Sequence, residues 1–324
     1  MNNLRYLRQT IIPQFGKKGQ KKISDSKICI LGAGGIGSSA LAYSAAAGIG
    51  NILIIENDIL EETNLNRQII YKERDLGKEK VYLAKKFAGE LNSRINVSAE
   101  KIFAREKDLV KFFNSCDILI DCSDNFSTRF AVNSAAYKTG KPYIFSAVYR
   151  AEVQIALLNP KKGPCLRCFI KDMPNENLSC ADYGVFGPAA GAAGCLAALK
   201  AMDFLSGISK EENILSIFDF SSYCCEKIKL KKRKDCPVCS GLETDANKDF
   251  SFLSKMRKII FNFSEKNIHE KEAVNLRIED LESAACHISK NAEILLFCDK
   301  GIRSKTAAKK LKKIGLKKIR FYKK

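Results

Sequence analysis

The chain has 324 residues, of which 46% are hydrophobic and 28% charged, an ordinary globular balance with room for a large domain and a small one. The N-terminus lacks the apolar run of a signal peptide, and no stretch approaches the roughly 20 apolar residues that a membrane-spanning helix needs. These features predict a cytoplasmic protein with no membrane contact. The formal net charge is +19, and residues 246–324 supply +11 of it, from 20 Lys and Arg against 9 Asp and Glu. Such a basic surface favours an acidic partner or nucleic acid, or it is a lysine-rich solvated surface, and charge alone does not decide between them.

Short apolar runs alternate with helical stretches over the first 245 residues. Residues 27–31, 51–56 and 116–122 are continuous in Ile, Leu, Val or Cys, which is typical of buried strands in a parallel sheet covered on both faces. Between the first two strands, the small residues 38–48 predict a helix that packs tightly on the sheet. This βαβ pattern predicts an α/β protein with a Rossmann-like, mostly parallel sheet.

The later chain shows more strands and a domain boundary. Residues 153–158 and 226–230 are predicted strands, and the polar, Gly-containing segment 240–249 is a plausible linker. Beyond it, a strand at 293–297, a basic amphipathic helix at 304–313 and a strand at 319–322 are expected. We therefore predict two domains, residues 1–245 and 246–324, the second a small α/β domain.

A glycine-rich loop follows the first predicted strand. Its glycines are Gly32, Gly34, Gly35 and Gly37, and the helix after it would direct its N–H groups and positive dipole end at phosphate. Glu56 closes the second strand, 24 residues after Gly32, where a carboxylate can hold ribose hydroxyls. The loop alone does not distinguish NAD from ATP, and it is also compatible with a turn that only packs helix on strand.

Charged residues after the ribose acid favour a triphosphate. One carboxylate, one amide and two cations follow Glu56 within 24 residues: Asp58, Asn64, Arg67 and Lys80. The β- and γ-phosphates of ATP need such cationic donors, whereas a dehydrogenase has no evident use for them.

A further carboxylate follows the third predicted strand. Asp124 stands at the carboxyl edge of the sheet, where α/β folds bind ligands, and it offers the hard oxygen ligand that Mg²⁺ prefers. Together these charges predict a site for a nucleoside triphosphate with Mg²⁺.

The 13 cysteines include two CxxC pairs, Cys165/Cys168 and Cys236/Cys239, with 67 residues between them. Four thiolates close the tetrahedral coordination of one Zn²⁺, so a structural zinc is predicted; a redox CxxC is the competing interpretation. The two histidines, His269 and His287, lie outside the first 245 residues, so the larger module is expected to work without histidine.

The second predicted domain carries a cysteine after a strand. Cys298 opens the segment 298–304, which leads into the predicted helix. Backbone N–H groups in such a loop, the helix dipole and Arg303 would together stabilise a thiolate.

A series of motifs runs in order over about residues 4–240: RYLRQ, FGKKGQ, ILGAGGIGSS, NLNRQ, GKEK, DCSDN, CLRC and CPVC. Through these motifs the chain resembles the ThiF/MoeB superfamily of ubiquitin-activating-like adenylyltransferases. The resemblance implies ATP-dependent adenylation of the C-terminal glycine of a small ubiquitin-like sulfur-carrier protein that ends in Gly-Gly. No direct partnership with nucleic acid is expected.

The resemblance also implies residue roles. Glu56 would bind ribose, Arg67 and Lys80 the β- and γ-phosphates, and Asp124 the magnesium ion. Arg8 would reach the site of a neighbouring subunit, which implies a homodimer. This chain has Glu56 where the family usually has Asp, so we expect altered nucleotide affinity rather than loss of binding.

Two cysteines are implicated in sulfur transfer by resemblance. Cys180 stands where relatives form a thioester or acyl disulfide with the carrier, although other relatives adenylate without it. Segment 298–304 is similar to the active loop of rhodaneses, in which the cysteine carries a persulfide. The domain looks abridged, because an opening Asp-Val-Arg segment is not evident and the chain ends before the usual Gly-Gly. A persulfide donor such as a cysteine desulfurase is the implied partner, and a degenerate docking module is the alternative.

Two other functions are compatible with parts of this sequence. A nicotinamide-dependent oxidoreductase would use the same glycine loop but leaves Arg67, Lys80 and the paired cysteines unexplained. A zinc-stabilised scaffold would bind a ubiquitin-like protein without ATP turnover. The sequence leaves open whether molybdopterin, thiamin, tRNA thiolation or another pathway uses the product.

Overall fold

The computed structural model describes residues 4–170, 184–209, 212–239, 253, 256–264, 273–276, 281–285, 288–289, 291–298, 302–313, 315–316 and 318–321. The chain divides into two compact units, Met1–Ala246 and Asn247–Lys324.

The first unit contains eight strands, eight α-helices and three short 3-10 helices among its described residues. The strands are β1 (Lys27–Leu31), β2 (Asn51–Ile55), β3 (Asn96–Glu100), β4 (Ile118–Asp121), β5 (Tyr143–Tyr149), β6 (Glu152–Leu158), β7 (Ile214–Asp219) and β8 (Cys224–Lys229). The helices are α1 (Leu7–Thr10), α2 (Gly16–Asp25), α3 (Gly35–Ala47), α4 (Lys80–Leu91), α5 (Glu106–Ser115), α6 (Phe126–Thr139), α7 (Leu166–Phe169) and α8 (Gly187–Ser206).

The eight strands form one sheet in the order β3-β2-β1-β4-β5-β6-β7-β8. The first five strands in this order, from β3 to β5, pair in parallel with their neighbours. The remaining pairs, from β5 to β8, are antiparallel. The chain moves outward from β1 to β3 and then crosses to β4 on the other side of β1. Ligands bind at such a switch point, in the crevice at the carboxyl ends of the strands. The predicted α/β class is confirmed.

The central strands are buried on both faces, because their side chains alternate between two cores. Ile28 and Ile30 of β1 pack in the core beneath α3 and α8, whereas Cys29 and Leu31 pack in the opposite core with α5 and α6. This explains why β1 reads as an uninterrupted apolar run. Strand β3 alternates between half-buried and exposed residues instead, so its sequence contains no continuous apolar run.

Helices α3 and α8 pack closely on one face of the sheet. A Cβ at Gly194 of α8 would overlap Ser39 Oγ and the carbonyl oxygen of Ile36, so the absence of a side chain permits this approach. Helix α8 has 20 residues and is apolar enough to cross a membrane by length and composition, which corrects the expectation that no such stretch exists. Its packing against α3, β5 and β6 is that of a core helix in a folded domain.

The second unit has a four-stranded parallel sheet in the order β10-β9-β11-β12. Its strands are β9 (Lys258–Asn262), β10 (Ala273–Asn275), β11 (Glu293–Phe297) and β12 (Ile319–Phe321), and its described helices are α9 (Leu281–Ala285) and α10 (Ile302–Lys313). A separate apolar core that includes Ile259, Phe261, Ile294 and Leu311 holds these elements together. This unit therefore has the core of an independent α/β layer structure.

Candidate nucleotide site and cysteine cluster

A cavity of about 320 Å³ lies at the carboxyl ends of β1, β2 and β4. Nine of the predicted site residues line it, namely Gly32, Gly34, Gly35, Glu56, Asp58, Asn64, Arg67, Lys80 and Asp124. Gly37 does not line the cavity. Arg8 is exposed on α1 and does not line it either, so its predicted role in a neighbouring subunit stays a prediction.

The glycine loop turns sharply between β1 and α3. Gly32 has a φ of +90°, and its N–H donates to the carbonyl oxygen of Ile55 at 2.8 Å. A Cβ at Gly37 would overlap the carbonyl oxygen of Gly32, so Gly37 permits the start of α3 to approach the loop. Gly34 stands immediately before α3, where the unpaired N–H groups and the dipole of the helix favour an anion.

Glu56 fixes the loop from the end of β2. Its Oε2 accepts a hydrogen bond from Ala33 N at 2.9 Å, and its Oε1 accepts from Asn57 N at 2.7 Å and Asp58 N at 2.9 Å. The hydroxyl of Tyr71 donates to the carbonyl oxygen of Ala33 at 2.9 Å. Burial raises the pKa of Tyr71, so the phenol stays a donor at neutral pH. Glu56 therefore positions backbone as well as lining the cavity.

Two cations approach the cavity from the segment between β2 and α4. Lys80 is the first residue of α4 and is 4% exposed, and its Nζ lies 3.3 Å from Oδ2 of the largely exposed Asp58. Arg67 is half-buried and donates to the carbonyl oxygen of Thr63 at 2.8 Å and to Asn66 Oδ1 at 2.9 Å. Asn64 Oδ1 accepts from Glu61 N at 3.1 Å, so Asn64 shapes the turn that presents Arg67.

The end of β4 presents Asp124 on a buried polar support. Asp121 is fully buried, and its Oδ1 accepts from Ser123 N at 3.0 Å and Ser123 Oγ at 2.6 Å. The buried Arg129 donates through Nη2 to the carbonyl oxygen of Ser123 at 2.9 Å. Burial raises the pKa of Asp121, and the positive charge of Arg129 opposes that rise. Asp124 itself is exposed, so its carboxylate is accessible to a cation or a ligand.

The two CxxC pairs are distant in sequence but lie together in the fold. All four Sγ atoms lie within 4.8 Å of one another, with Cys165 3.4 Å from Cys236 and Cys168 3.7 Å from Cys239. Thiolates at about 2.3 Å from a tetrahedral Zn²⁺ would be roughly 3.8 Å apart, so the observed spacing fits such an ion. The first pair begins at the N-terminus of α7, and the backbone N–H of Arg233 points at Cys168 Sγ at 3.5 Å.

The family model for "ThiF family" matches residues 6–238, which is most of the chain. The chain belongs to the ThiF family. It is 36% identical over 248 residues to the "Sulfur carrier protein adenylyltransferase" of Thermus thermophilus, covering 74% of this chain and 92% of that protein. It is 31% identical over 253 residues to the "SAMP-activating enzyme E1" of Haloferax volcanii, covering 77% and 93%.

Longer relatives and solved structures agree with this assignment. The "Adenylyltransferase and sulfurtransferase uba4" of Emericella nidulans is 38% identical over 256 residues, and the chain spans about half of that protein, with 74% of this chain and 53% of uba4 covered. The structure of E. coli MccB with ATP superimposes with a TM-score of 0.65 at 27% identity, covering 74% of each chain.

Several residues that line the cavity of this ThiF family protein were not predicted from the sequence. They include Gln68, Phe103, Ser123, Asn125, Thr128 and Arg129. Gln68 closes the NLNRQ motif and Asn125 closes the DCSDN motif, although neither was given a role from the sequence. Arg129 lies one helical turn after Asn125, so extending the DCSDN motif along α6 would have found it. Phe103 follows β3, a strand that the sequence reading missed.

In the second unit, Cys298 follows β11 and faces the start of α10. Its Sγ lies 3.4 Å from Ser304 N, which points at the sulfur, and 3.4 Å from Ser304 Oγ. Arg303 donates to the carbonyl oxygen of Phe263 at 2.8 Å, so this contact holds the guanidinium against the β9 end. Residues 299–301 and Cys180 lie outside the described residues, and the roles predicted for Cys180 and Cys298 stay predictions.

Proposed function

We propose that this chain uses ATP to adenylate the C-terminal carboxylate of a small ubiquitin-like sulfur-carrier protein. The observation that carries the proposal is one cavity in which a glycine loop, two cations and an accessible carboxylate converge at the switch point of the sheet. The names of the relatives, sulfur carrier protein adenylyltransferase and SAMP-activating enzyme E1, support the choice of substrate.

The cavity residues would have separate roles in adenylyl transfer. The start of α3 offers N–H groups to phosphate, Glu56 takes the ribose, and Arg67 and Lys80 neutralise the β- and γ-phosphates. The carrier carboxylate attacks the α-phosphorus, the bond from that phosphorus to the bridging oxygen breaks, and pyrophosphate leaves. The mechanism depends on positioning and charge neutralisation and needs no protein nucleophile, which fits a unit without histidine.

Two metal ions belong to the proposal. Mg²⁺ would accompany ATP and take an oxygen ligand from Asp124, whose exposed carboxylate lines the cavity. Zn²⁺ would occupy the four cysteines and stabilise the fold, as their sulfur spacing and their CxxC pairing favour.

Sulfur transfer is the proposed second stage. The outer sulfur of a persulfide on Cys298, loaded by a cysteine desulfurase, would attack the activated carbonyl carbon and release AMP, which leaves the carrier joined to Cys298 as an acyl disulfide. A second thiol, for which Cys180 is the candidate, would then attack the Cys298 sulfur and release the thiocarboxylate, and an external thiol reductant would reduce the disulfide that remains. The support is Cys298 just before α10, where its sulfur lies within reach of the Ser304 N–H, and the sulfurtransferase activity in the name of uba4.

We also propose that the protein is cytoplasmic and forms a homodimer. The exposed apolar residues Leu4, Leu7 and Ile11 support the homodimer, because they share one N-terminal segment with Arg8.

ATP–pyrophosphate exchange with purified protein tests the first stage. We expect exchange only in the presence of a carrier ending in Gly-Gly, and the Asp124→Asn variant should lose it while still binding the carrier. A non-catalytic scaffold would bind the carrier with no exchange in either protein, and an NAD-dependent oxidoreductase would bind NAD without requiring a triphosphate. Absence of exchange with every Gly-Gly carrier would refute the proposal.

The second stage is tested separately. Cys298→Ala should abolish thiocarboxylate formation and leave exchange unchanged, and Cys225→Ala, an exposed cysteine on β8, serves as the matched control. Thiocarboxylate formed at the normal rate by Cys298→Ala would exclude Cys298 as the sulfur carrier.

A further inference from the structure

Helix α6 carries one row of side chains that runs from the nucleotide cavity to the cysteine cluster. Asn125, Arg129, Asn133 and Tyr137 are spaced four residues apart, so they share one side of the helix. Each of the four contacts a different part of the structure, and together they cover about 18 Å of helix axis.

The first half of the row holds the cavity end. Asn125 caps α6 by accepting from Thr128 N at 2.8 Å, and it lines the cavity beside Asp124. Arg129 donates to the carbonyl oxygen of Ser123 at 2.9 Å, and its guanidinium lies over the rings of Phe126 and Phe145 at 5.4 and 5.3 Å. Any shift of the Asp124 segment is therefore opposed by groups fixed to α6.

The second half of the row holds the cysteine end. Asn133 is completely buried, and its Oδ1 accepts from the backbone N–H of Leu166 at 2.7 Å and from the Tyr143 hydroxyl at 3.3 Å. Leu166 directly follows Cys165 and begins α7, the helix that carries the first CxxC pair. Tyr137 packs against the cluster formed by Cys165, Cys168 and Cys236.

We infer that α6 couples the two sites, so that metal at the four cysteines and Mg·ATP at the cavity strengthen each other's binding, with Asn133 as the positioning residue between them. The inference rests on the proposed nucleotide and zinc sites. Its physical basis is that a helix is stiff along its axis and that a buried amide is costly to leave unpaired, so a displacement at α7 is transmitted to the Asp124 end. Linkage requires the effect to be reciprocal.

Zinc affinity and nucleotide affinity of the full-length protein measure the coupling. Competition with a chromogenic chelator gives the zinc affinity with and without Mg·ATP, in the absence of carrier so that no chemistry occurs. We expect saturating Mg·ATP to tighten zinc binding by about fivefold or more, and zinc removal to weaken ATP binding by the same factor.

Variants on α6 separate coupling from general stability. Asn133→Ala should still load both ligands but bring the coupling factor close to one, and Asn133→Asp, which keeps the acceptor oxygen, should retain it. Val132→Ala is the matched control, because Val132 is a fully buried neighbour on the same helix that packs in the core instead. It should lose stability but keep the coupling.

The outcomes distinguish this inference from the proposed function. If wild-type protein binds both zinc and ATP, and neither ligand changes the affinity of the other, the coupling is refuted while the proposed function stands. Coupling that is lost equally in Val132→Ala and Asn133→Ala would refute the role of Asn133. Protein that binds no ATP or no zinc would refute the proposed sites, and the coupling with them.

Discussion

At the scale of single residues, Lys80 is a nearly buried cation that lines the cavity. It is 4% exposed and lies beside the exposed Asp58, whereas Lys78, two residues earlier, is itself exposed and pairs with the half-buried Asp75. A buried ammonium is costly unless it meets a negative group, and the polyanion proposed for the cavity would supply one. The same short segment thus contains a candidate functional lysine and a natural control.

We predict that Lys80→Met lowers the rate of ATP–pyrophosphate exchange by about 10²- to 10³-fold, the usual cost of removing one stabilising donor from a preorganised site. Lys78→Met should stay close to wild type, because surface ion pairs contribute little. Exchange assays on both variants, with thermal melts to confirm folding, measure the difference. Equal activities would remove Lys80 from the proposed mechanism.

Asp121 gives a prediction about pH. Burial raises its pKa above the ordinary value of 3.8, so the folded state holds this proton more tightly than the unfolded state does. Asp121 thus favours folding most below the unfolded pKa, and this contribution is lost as the pH rises from about 3.8 through the folded-state pKa.

Asp121→Asn keeps an oxygen that can accept both Ser123 hydrogen bonds but cannot ionise. Relative to wild type, we expect the free energy of unfolding of Asp121→Asn to improve as the pH rises above about 4, until Asp121 is fully ionised in the folded wild-type protein. Urea denaturation of both proteins across this pH range provides the test. A difference in stability that does not vary with pH would contradict the assigned shift.

At the scale of elements, the contact between the glycine loop and α3 sets the shape of the phosphate end. Gly37 leaves no room for a side chain against Gly32, whereas a Cβ at Gly89 of α4 would meet no atom within 4 Å. Two helical glycines thus have opposite surroundings.

We predict that Gly37→Ala displaces the loop, lowers the Tm and weakens ATP binding by at least tenfold. Gly89→Ala should instead stabilise the protein by roughly 0.5–1 kcal/mol, because alanine is the better helix former. Differential scanning calorimetry and equilibrium binding of ATP provide the readouts. Normal ATP binding by Gly37→Ala would show that the loop tolerates the shift.

Much of these elements follows from sequence alone, and the rest has a physical reason for being missed. Continuous apolar runs predicted β1, β2 and β4, because strands buried on both faces leave no alternation. The polar support beneath Asp124 was not predicted, since Asp121 and Arg129 meet through the fold rather than through a motif. Likewise, the CxxC pairs predicted a metal site. The hydrogen bond from Leu166 N–H at the start of α7 to Asn133 was not predicted, because it depends on tertiary packing.

At the scale of the whole molecule, the cysteine cluster links segments that are distant in sequence. It connects α7 to the chain beyond β8, closing a loop that includes α8 and β7. A metal in this position contributes its binding free energy to folding, because the unfolded chain has no formed site.

We predict that Cys236→Ser releases zinc and lowers the Tm of the first unit by about 6–12 °C, which corresponds to a loss of about 3 kcal/mol in a domain of this size. Cys224→Ser, on the exposed strand β8, should retain both metal and stability. Atomic absorption measures the zinc content of the two variants, and thermal melts measure their Tm. A Cys236→Ser protein with wild-type zinc content would contradict the assigned ligand set.

The close contact between α3 and α8 has a consequence for how the chain is made. Ser39 and Gly194 meet in the fold but lie 155 residues apart in sequence. At about 5–20 residues per second, the ribosome needs roughly 8–31 s to deliver Gly194 after Ser39. During that interval the apolar face of α3 lacks its helical partner, and α8 then emerges as an apolar segment of its own. Biosynthesis of this protein therefore includes a period of exposed apolar surface in which chaperones would limit aggregation.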